Sequence, residues 1–253
     1  PDIVFDINGV CNHCNEYDMA VNKHPLSPAE ATSRLHELAD KIKGEGRNKK
    51  YDCITGVSGG VDSTYTVYLL KQLGLRPLVV HLDNGWNSEL AVQNIENIIN
   101  RLGFDLYTRV LQWNEFRELQ LAYLNASVLD LEALTDHAIS ATLFQQANRY
   151  GVKYIMAGTN RATEAILPLH WRYANKTNDA VNIKAINEQF RKKPIKDFPL
   201  LSFQKHAYYW KIKKIQWVSP LDFVQYDKAK AKKIFPFPGT YASYAKYYLS
   251  LCS

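Results

Sequence analysis

The residues of this 253-residue chain whose types and spacing most directly imply chemistry are Ser58-Gly59-Gly60-Val61-Asp62-Ser63. They follow the apolar run Tyr51 to Val57 and open a helical pattern, which is the setting of a sharp turn from a buried parallel strand into a helix. Adjacent glycines let backbone N–H groups approach an anion without an intervening Cβ. The helix N-terminus adds orphan amides and the positive end of its dipole. Ser58 and Ser63 contribute hydroxyl donors, and Asp62 a carboxylate that can act directly or through Mg2+. The implied ligand is a phosphate or pyrophosphate group, against the plainer alternative of a glycine-rich turn. The loop has neither the Gly-Lys-Ser/Thr ending of a Walker A sequence nor the Gly-x-Gly-x-x-Gly of a dinucleotide site.

Further candidates stand at the ends of other apolar runs. Asp83-Asn84-Gly85-Trp86-Asn87 follows Pro77 to Leu82 and can contact adenine or ribose, or else form a plain Asn-Gly turn. Asp136 and His137 sit at a helix start for which Thr135 is the expected N-cap. They are candidates for catalysis, with capping as the other explanation of Asp136. Gly158-Thr159-Asn160, with Glu164 shortly after, can hold the nucleotide or its Mg2+, or cap a helix. Near the start, Cys11 and Cys14 supply two thiolates at the spacing tetrahedral zinc uses, which is half of a structural site; His24 is the nearest further candidate. A redox pair or two reduced surface thiols are the alternatives. Pro1 in place of Met suggests a truncated start, with a partner pair of cysteines expected upstream.

These groups can meet only if the strands that carry them end together. Ser27-Pro28-Ala29-Glu30 reads as N-cap, N1 proline and acidic first turn of a helix bearing Ala31, Leu35, Leu38 and Ile42. Strand 51–57 passes through the loop into a helix with Val61, Tyr65, Tyr68, Leu69 and Leu73 as its stripe and Gly74 as its stop. Strand 77–82 leads to a helix with Ala91, Ile95, Ile98, Ile99 and Leu102, ended by Gly103, and then to strand 105–111. Residues 113–150 are helical with an interruption at 134–137; 152–157 form a fourth strand, 179–190 a helix and 214–218 a fifth strand. Successive strand–helix units with a phosphate loop after the first strand predict an α/β fold. Its doubly wound parallel sheet places the ligand crevice at the carboxyl ends of the strands. The chain divides into a small N-terminal Cys-x-x-Cys knuckle and helix (1–46), an ATP-binding α/β domain (47–235) and a C-terminal segment (236–253). The basic runs 191–193 and 228–233 read as solvated faces, and tyrosines 241, 244, 247 and 248 as packing.

A net charge of +6 suits anionic ligands such as nucleotides and sugar nucleotides; without a clustered basic face, nucleic acid is not expected. No apolar run is long enough to span a membrane and the start lacks a signal-peptide pattern, so a cytoplasmic location is the expectation. Four cysteines at this length are not a disulfide framework. None is placed as the nucleophile of a glutaminase either: Cys11 and Cys14 have metal-ligand spacing, Cys53 lies inside a strand, and Cys252 is next to the end.

The loop resembles the Ser-Gly-Gly-x-Asp-Ser pyrophosphate loop, or PP-loop, of ATP pyrophosphatases, which split ATP into AMP and pyrophosphate in an adenine nucleotide alpha hydrolase-like fold. Beyond it, Gly9 to Cys14, His81 to Asn87, Thr135 to Ile139, Gly158 to Glu164 and Pro220 to Val224 resemble segments of the N-acetyl sugar amidotransferase family of surface-polysaccharide (lipopolysaccharide O-antigen) biosynthesis. The likeness covers most of residues 1 to about 235. It departs in the missing earlier Cys-x-x-Cys, and in Pro238 to Ser243, where the family has a Gly-Gly-Lys-His-like segment. The resemblance implies ATP and Mg2+ as cofactors, with zinc as a further candidate. It implies adenylation of the amide oxygen of an N-acetyl group on a sugar, and displacement of AMP by ammonia to give an acetamidino group. It also implies that the ammonia comes from a glutaminase subunit through a cyclase-like channelling subunit. Carried over residue by residue, it assigns Ser58, Gly59, Gly60, Asp62, Ser63, Asp83, Asn84, Gly158, Thr159, Asn160 and Glu164 to the nucleotide, Asp62, Asp136 and His137 to catalysis, and Cys11 and Cys14 to metal. The rivals are tRNA thiolation or another PP-loop amidation, and an inactive nucleotide-binding module. Thiolation needs a sulfur-carrying cysteine near the crevice, and none lies between Cys53 and Cys252. A homo-oligomer is left open.

Overall fold

The computed structural model describes residues 3–22, 27–160 and 179–234, so His24, Glu164, Cys252 and the segment 236–253 lie outside the described residues. Five strands form one sheet: β1 (Cys53–Gly56), β2 (Pro77–Asp83), β3 (Asp105–Val110), β4 (Tyr154–Met156) and β5 (Gln216–Val218). Their order is β3-β2-β1-β4-β5 and every pairing is parallel, as a doubly wound sheet requires. The strands read as near-continuous apolar runs because both faces are covered. Ile54, Leu78, Val80 and Ile155 point to one side; Cys53, Tyr154, Met156 and Val79 point to the other.

The helices are α1 (Asn12–Asn22), α2 (Pro28–Gly46), α3 (Val61–Gln72), α4 (Glu89–Leu102), α5 (Trp113–Asn125), α6 (Ala133–Tyr150), α7 (Ala180–Ile186), α8 (Phe203–Ala207) and α9 (Lys228–Ile234). α7 and α8 each continue into a π-helical turn. α6 covers the Ile54 face through Ala141, Phe144 and Ala147. α2, α3 and α4 cover the opposite face through Leu35, Leu70 and Ile95. β1 pairs with β2 on one side and β4 on the other, so the chain's progress across the sheet reverses there. In sheets of this topology the ligand crevice lies at such a switch point, beyond the carboxyl ends of β1 and β4.

Local chemistry explains most boundaries. Ser27 and Glu30 form a reciprocal capping box at the start of α2. Ser88 caps α4, and Gly103 closes it at φ 68°. Two expectations are corrected. The buried side of α3 is Val61, Thr64, Val67 and Leu70, with Tyr65 and Tyr68 only half-buried, because α3 is enclosed by α2 on one flank and α4 on the other. Thr135 does not cap α6: the helix begins at Ala133, with Glu132 at the cap position and no side-chain cap bond. Leu134, fully enclosed among Phe116, Leu119 and Tyr123, fixes the first turn by apolar packing instead.

At the opposite end of the sheet from the crevice, Asp52 is 4% exposed and ties three elements together. Its carboxylate accepts from the Arg76 amide at 2.9 Å, from Nη2 at 2.6 Å and from Nε at 3.2 Å, while the same Nη2 donates to the Gly46 carbonyl at 2.9 Å. The start of β1, the start of β2 and the end of α2 are thereby stapled. Alongside, Asp105 of β3 accepts from the Tyr51 hydroxyl at 2.6 Å and from Lys50 Nζ at 3.0 Å. Arg76→Met strips the buried Asp52 carboxylate of its charged partner, and because Arg76 is half open to water the cost is about 1–3 kcal/mol. A urea midpoint lowered to that extent with the slope unchanged is the expected result; no change in midpoint would refute the staple.

Candidate functional site

Helix capping singles out the crevice. α2, α4, α5, α7 and α8 each have a side-chain oxygen accepting from a first-turn amide. α3 and α6 have none: α3 begins at Gly60, which has no side chain to offer, and α6 at Glu132. First-turn amides without a built-in acceptor are what an anion needs.

The loop between β1 and α3 is shaped by backbone contact. Gly59 has φ 77°, and a Cβ there would fall 2.6 Å from the Ala91 carbonyl oxygen in the first turn of α4. Gly158, just past β4, comes so close that its Cβ would lie 2.9 Å from Ser63 Cα. Within the loop the Ser58 amide donates to Ser63 Oγ at 3.2 Å, the two serine hydroxyls are 3.2 Å apart, and the Gly60 amide donates to Ser58 Oγ at 3.4 Å. Hydroxyls and amides therefore converge on one small volume at the helix N-terminus, and this donor set fits the phosphates of a nucleotide.

The neighbouring turns join it. After β2, Asp83 Oδ1 accepts from the Gly85 amide at 2.9 Å and from Asn87 Nδ2 at 3.2 Å, and Asn84 Oδ1 accepts from the Trp86 amide at 3.1 Å. Asn84 Nδ2 donates to Thr135 Oγ1 at 3.4 Å, so the β2 turn and the first turn of α6 are in contact. Asp83 and Asn84 thus shape the turn that the sequence places beside the nucleotide. His81 Nδ1 donates to the Val57 carbonyl at 3.1 Å, which leaves Nε2 to accept from Asn87 and links the β2 turn to the strand end before the loop. Past β4, Thr159 and Ser219 hydroxyls pair at 2.7 Å and Asn160 is buried.

Asp136 and His137 part company. Asp136 is exposed to solvent yet crowded by protein, as a group on the wall of a concavity would be. That crowding, with Glu132 and Asp130 adding repulsion, pushes its carboxyl up to about 6. His137 is 1% exposed, stacks on Phe198 and accepts the Leu201 amide on Nε2 at 2.9 Å. It is a core histidine that fixes the 198–201 segment, and the expectation of a catalytic His137 is corrected on that ground. Glu115 works beside it, its carboxylate gathering the amides of Lys196, Asp197 and Phe198 at 2.6–3.0 Å. Sequence gave no sign of either contact, since both partners are far away in the chain.

The largest omission from the sequence concerns Asp62. Its carboxylate accepts a hydrogen bond from the Tyr226 hydroxyl and pairs with Lys228 Nζ at 3.2 Å. Lys228, expected on a solvated basic face, instead stands at the loop. Asp62 lies in the first turn of α3, directly after the loop.

At the N-terminus Phe5 bridges to Cys11, and Cys11 and Cys14 stand 3.3 Å apart at the start of α1. The Cys14 amide and thiol hold the Cys11 thiol below the ordinary cysteine range, and Cys14 is raised by Cys11 in turn. Among the described residues no group of three or more His, Cys, Asp or Glu could hold a metal. Two thiols are fewer ligands than a closed tetrahedral zinc site takes.

No protein-family model matches the chain. It is 34% identical over 96 residues to a tRNA(Ile)-lysidine synthase of Chlamydia pneumoniae, covering 34% of this chain and 30% of that one. It is 30% identical over 129 residues to the tRNA-specific 2-thiouridylase MnmA of Clostridioides difficile, covering 44% and 35%. To a glutamine-hydrolysing GMP synthase of Pyrobaculum aerophilum it is 35% identical over 78 residues, covering 30% and 14%. These likenesses point to the PP-loop ATP pyrophosphatase superfamily. The matches span at most 36% of the curated relatives' length. Among solved structures, the NH3-dependent NAD synthetase of Campylobacter jejuni overlaps with a TM-score of 0.40 at 12% identity, over 66% of this chain and 78% of that one. The glutamine-dependent NAD+ synthetase of Acinetobacter baumannii overlaps with 0.45 at 15%, over 84% and 44%.

Two outcomes follow from the geometry of this loop and of α6. Gly59→Ala must strain φ and push on the Ala91 backbone, so ATP affinity should fall by roughly tenfold or more while Gly103→Ala, with open space around it, leaves ATP affinity unchanged; calorimetric titration reads this. The raised Asp136 carboxyl favours the protonated form in the folded state, against about 3.9 when unfolded. Its ionisation therefore lowers stability as pH climbs from about 4 to about 6, and by a constant amount above that. Asp136→Asn should melt with wild type near pH 4 and above it near pH 7.5, and the reverse pattern would show that the carboxyl is not crowded.

Proposed function

We propose that this chain is an ATP-dependent, AMP-forming amidotransferase that converts an N-acetyl group of a sugar into an acetamidino group, using ammonia supplied by a partner glutaminase. The observation that carries the reading is the Gly59 and Gly158 contacts, which bring the uncapped start of α3 and the turn after β4 together as a cradle of amides and hydroxyls. The finer assignment to a sugar rests on the resemblance of the 81–87 and 135–139 segments to the N-acetyl sugar amidotransferases, supported by the Asn84–Thr135 contact between them.

An amide carbonyl is a weak electrophile with a poor leaving group, and ATP, when bound, makes its oxygen a good one. The first-turn amides of α3 with Ser58 and Ser63 stabilise the charge that collects on the departing pyrophosphate. Asp62 orients the phosphates or their Mg2+. Asp136, with a carboxyl near 6, can take the proton that nitrogen sheds as its bond to carbon forms and the carbon–oxygen bond to AMP breaks. For the competing thiolation reading Cys53 is not a suitable carrier, since it is fully enclosed in β1 and burial pushes its thiol far up. Among the described residues no helix is long and apolar enough to cross a membrane.

The test is product analysis of the chain with ATP, Mg2+, an N-acetyl sugar and ammonium. AMP, pyrophosphate and the amidine are expected, with Asp62→Ala slower by about ten- to a hundredfold. Glutamine should serve as nitrogen donor only once the partner subunits are added. ADP and phosphate as products would sink the reading, and glutamine-dependent product from the isolated chain would remove the need for a glutaminase.

A further inference from the structure

The segment leading into α9 is set against α3 by several independent contacts. The Tyr226 ring lies on Tyr65 at 5.4 Å and its hydroxyl donates to Asp62. Asp227 Oδ1 caps α9 by accepting from the amides of Ala229 and Lys230 at 2.8 and 3.1 Å. Ala231, 2% exposed, is packed inward. Ring, cap and buried methyl together fix the register of α9, and that register delivers the Lys228 ammonium to Asp62 at 3.2 Å. A lone surface ion pair would need no such scaffold and would contribute little.

The position of the pair matters because Asp62 is in the first turn of α3, beside amides directed at an anion. A bare carboxylate there would repel the ligand that the helix end attracts. Lys228 cancels that repulsion, and with its side chain 37% exposed the ammonium has room to pivot toward an oxyanion in the loop. Resting on the reading of the loop as a pyrophosphate cradle, we infer that Lys228 is a catalytic residue that holds the leaving pyrophosphate, with Tyr226 as the positioning residue that keeps Asp62 and Lys228 in register. A flexible point charge suits this task, since the pyrophosphate must be gripped as it departs and then released.

The test uses the full chain and inorganic pyrophosphate with Mg2+ as the probe, read by calorimetry. Lys228→Met should weaken pyrophosphate binding by roughly ten- to a hundredfold, Lys228→Arg should restore most of it, and adenosine affinity should stay at the wild-type level in both, which shows that the fold is intact. Tyr226→Phe should give a smaller loss in the same measurement. Equal pyrophosphate affinity in wild type and Lys228→Met overturns the inference. So does an absence of pyrophosphate binding by wild type, or a parallel loss of adenosine binding in the variant, which would mark a structural role. Wild type that binds pyrophosphate through Lys228 yet turns ATP into ADP would refute the proposed reaction and leave Lys228 in place.

Discussion

Two backbone approaches that leave no room for a Cβ hold the crevice together. Gly59 against Ala91 fixes the loop on the first turn of α4, and Gly158 against Ser63 brings the end of β4 onto the start of α3. Each is a contact between main chains, so its tolerance is a few tenths of an ångström. The rest of the site inherits that precision: the β2 turn is positioned through α4 and through His81, and α6 is positioned through the β2 turn by Asn84 and Thr135.

Charge is arranged with equal economy. The two helix starts that face the crevice lack the side-chain caps found on their neighbours, which leaves partial positive charge at the place where an anion is expected. Two carboxylates stand in the same region and are handled differently. Asp62 is offset by a phenol and an ammonium, whereas Asp136 is crowded until its proton is shared near pH 6. One is offset by partners and the other is crowded, a difference set by surroundings and not by residue type.

Wherever the signal was local, the sequence could be read. The buried strands, the Ser27 capping box, the Ile stripe of α4 with Gly103, and the glycine pair of the loop all depend on neighbours within a few residues. What escaped depends on partners far along the chain. His137 looked catalytic beside Asp136, but its burial is decided by Phe198 and Leu201. Lys228 looked like one of several solvated lysines, but Tyr226 and Asp227 fix the turn that aims it at Asp62. Thr135 has the chemistry of an N-cap and lost that place because Leu134 packs first. A polar residue's role is set by what the fold brings to it, and periodicity carries no information on that.

β3 is one margin of the sheet, and its outward side is bracketed by charge: Lys50 and Tyr51 on Asp105 at one end, Arg109 on Asp197 further along. A strand from another molecule that added to this margin would meet those charged pairs beside the exposed side chains of Leu106 and Val110. The opposite margin, β5, is only three residues long and too short to template pairing. Among the described residues, charge beside β3 and the shortness of β5 are the features that work against strand addition at the two margins.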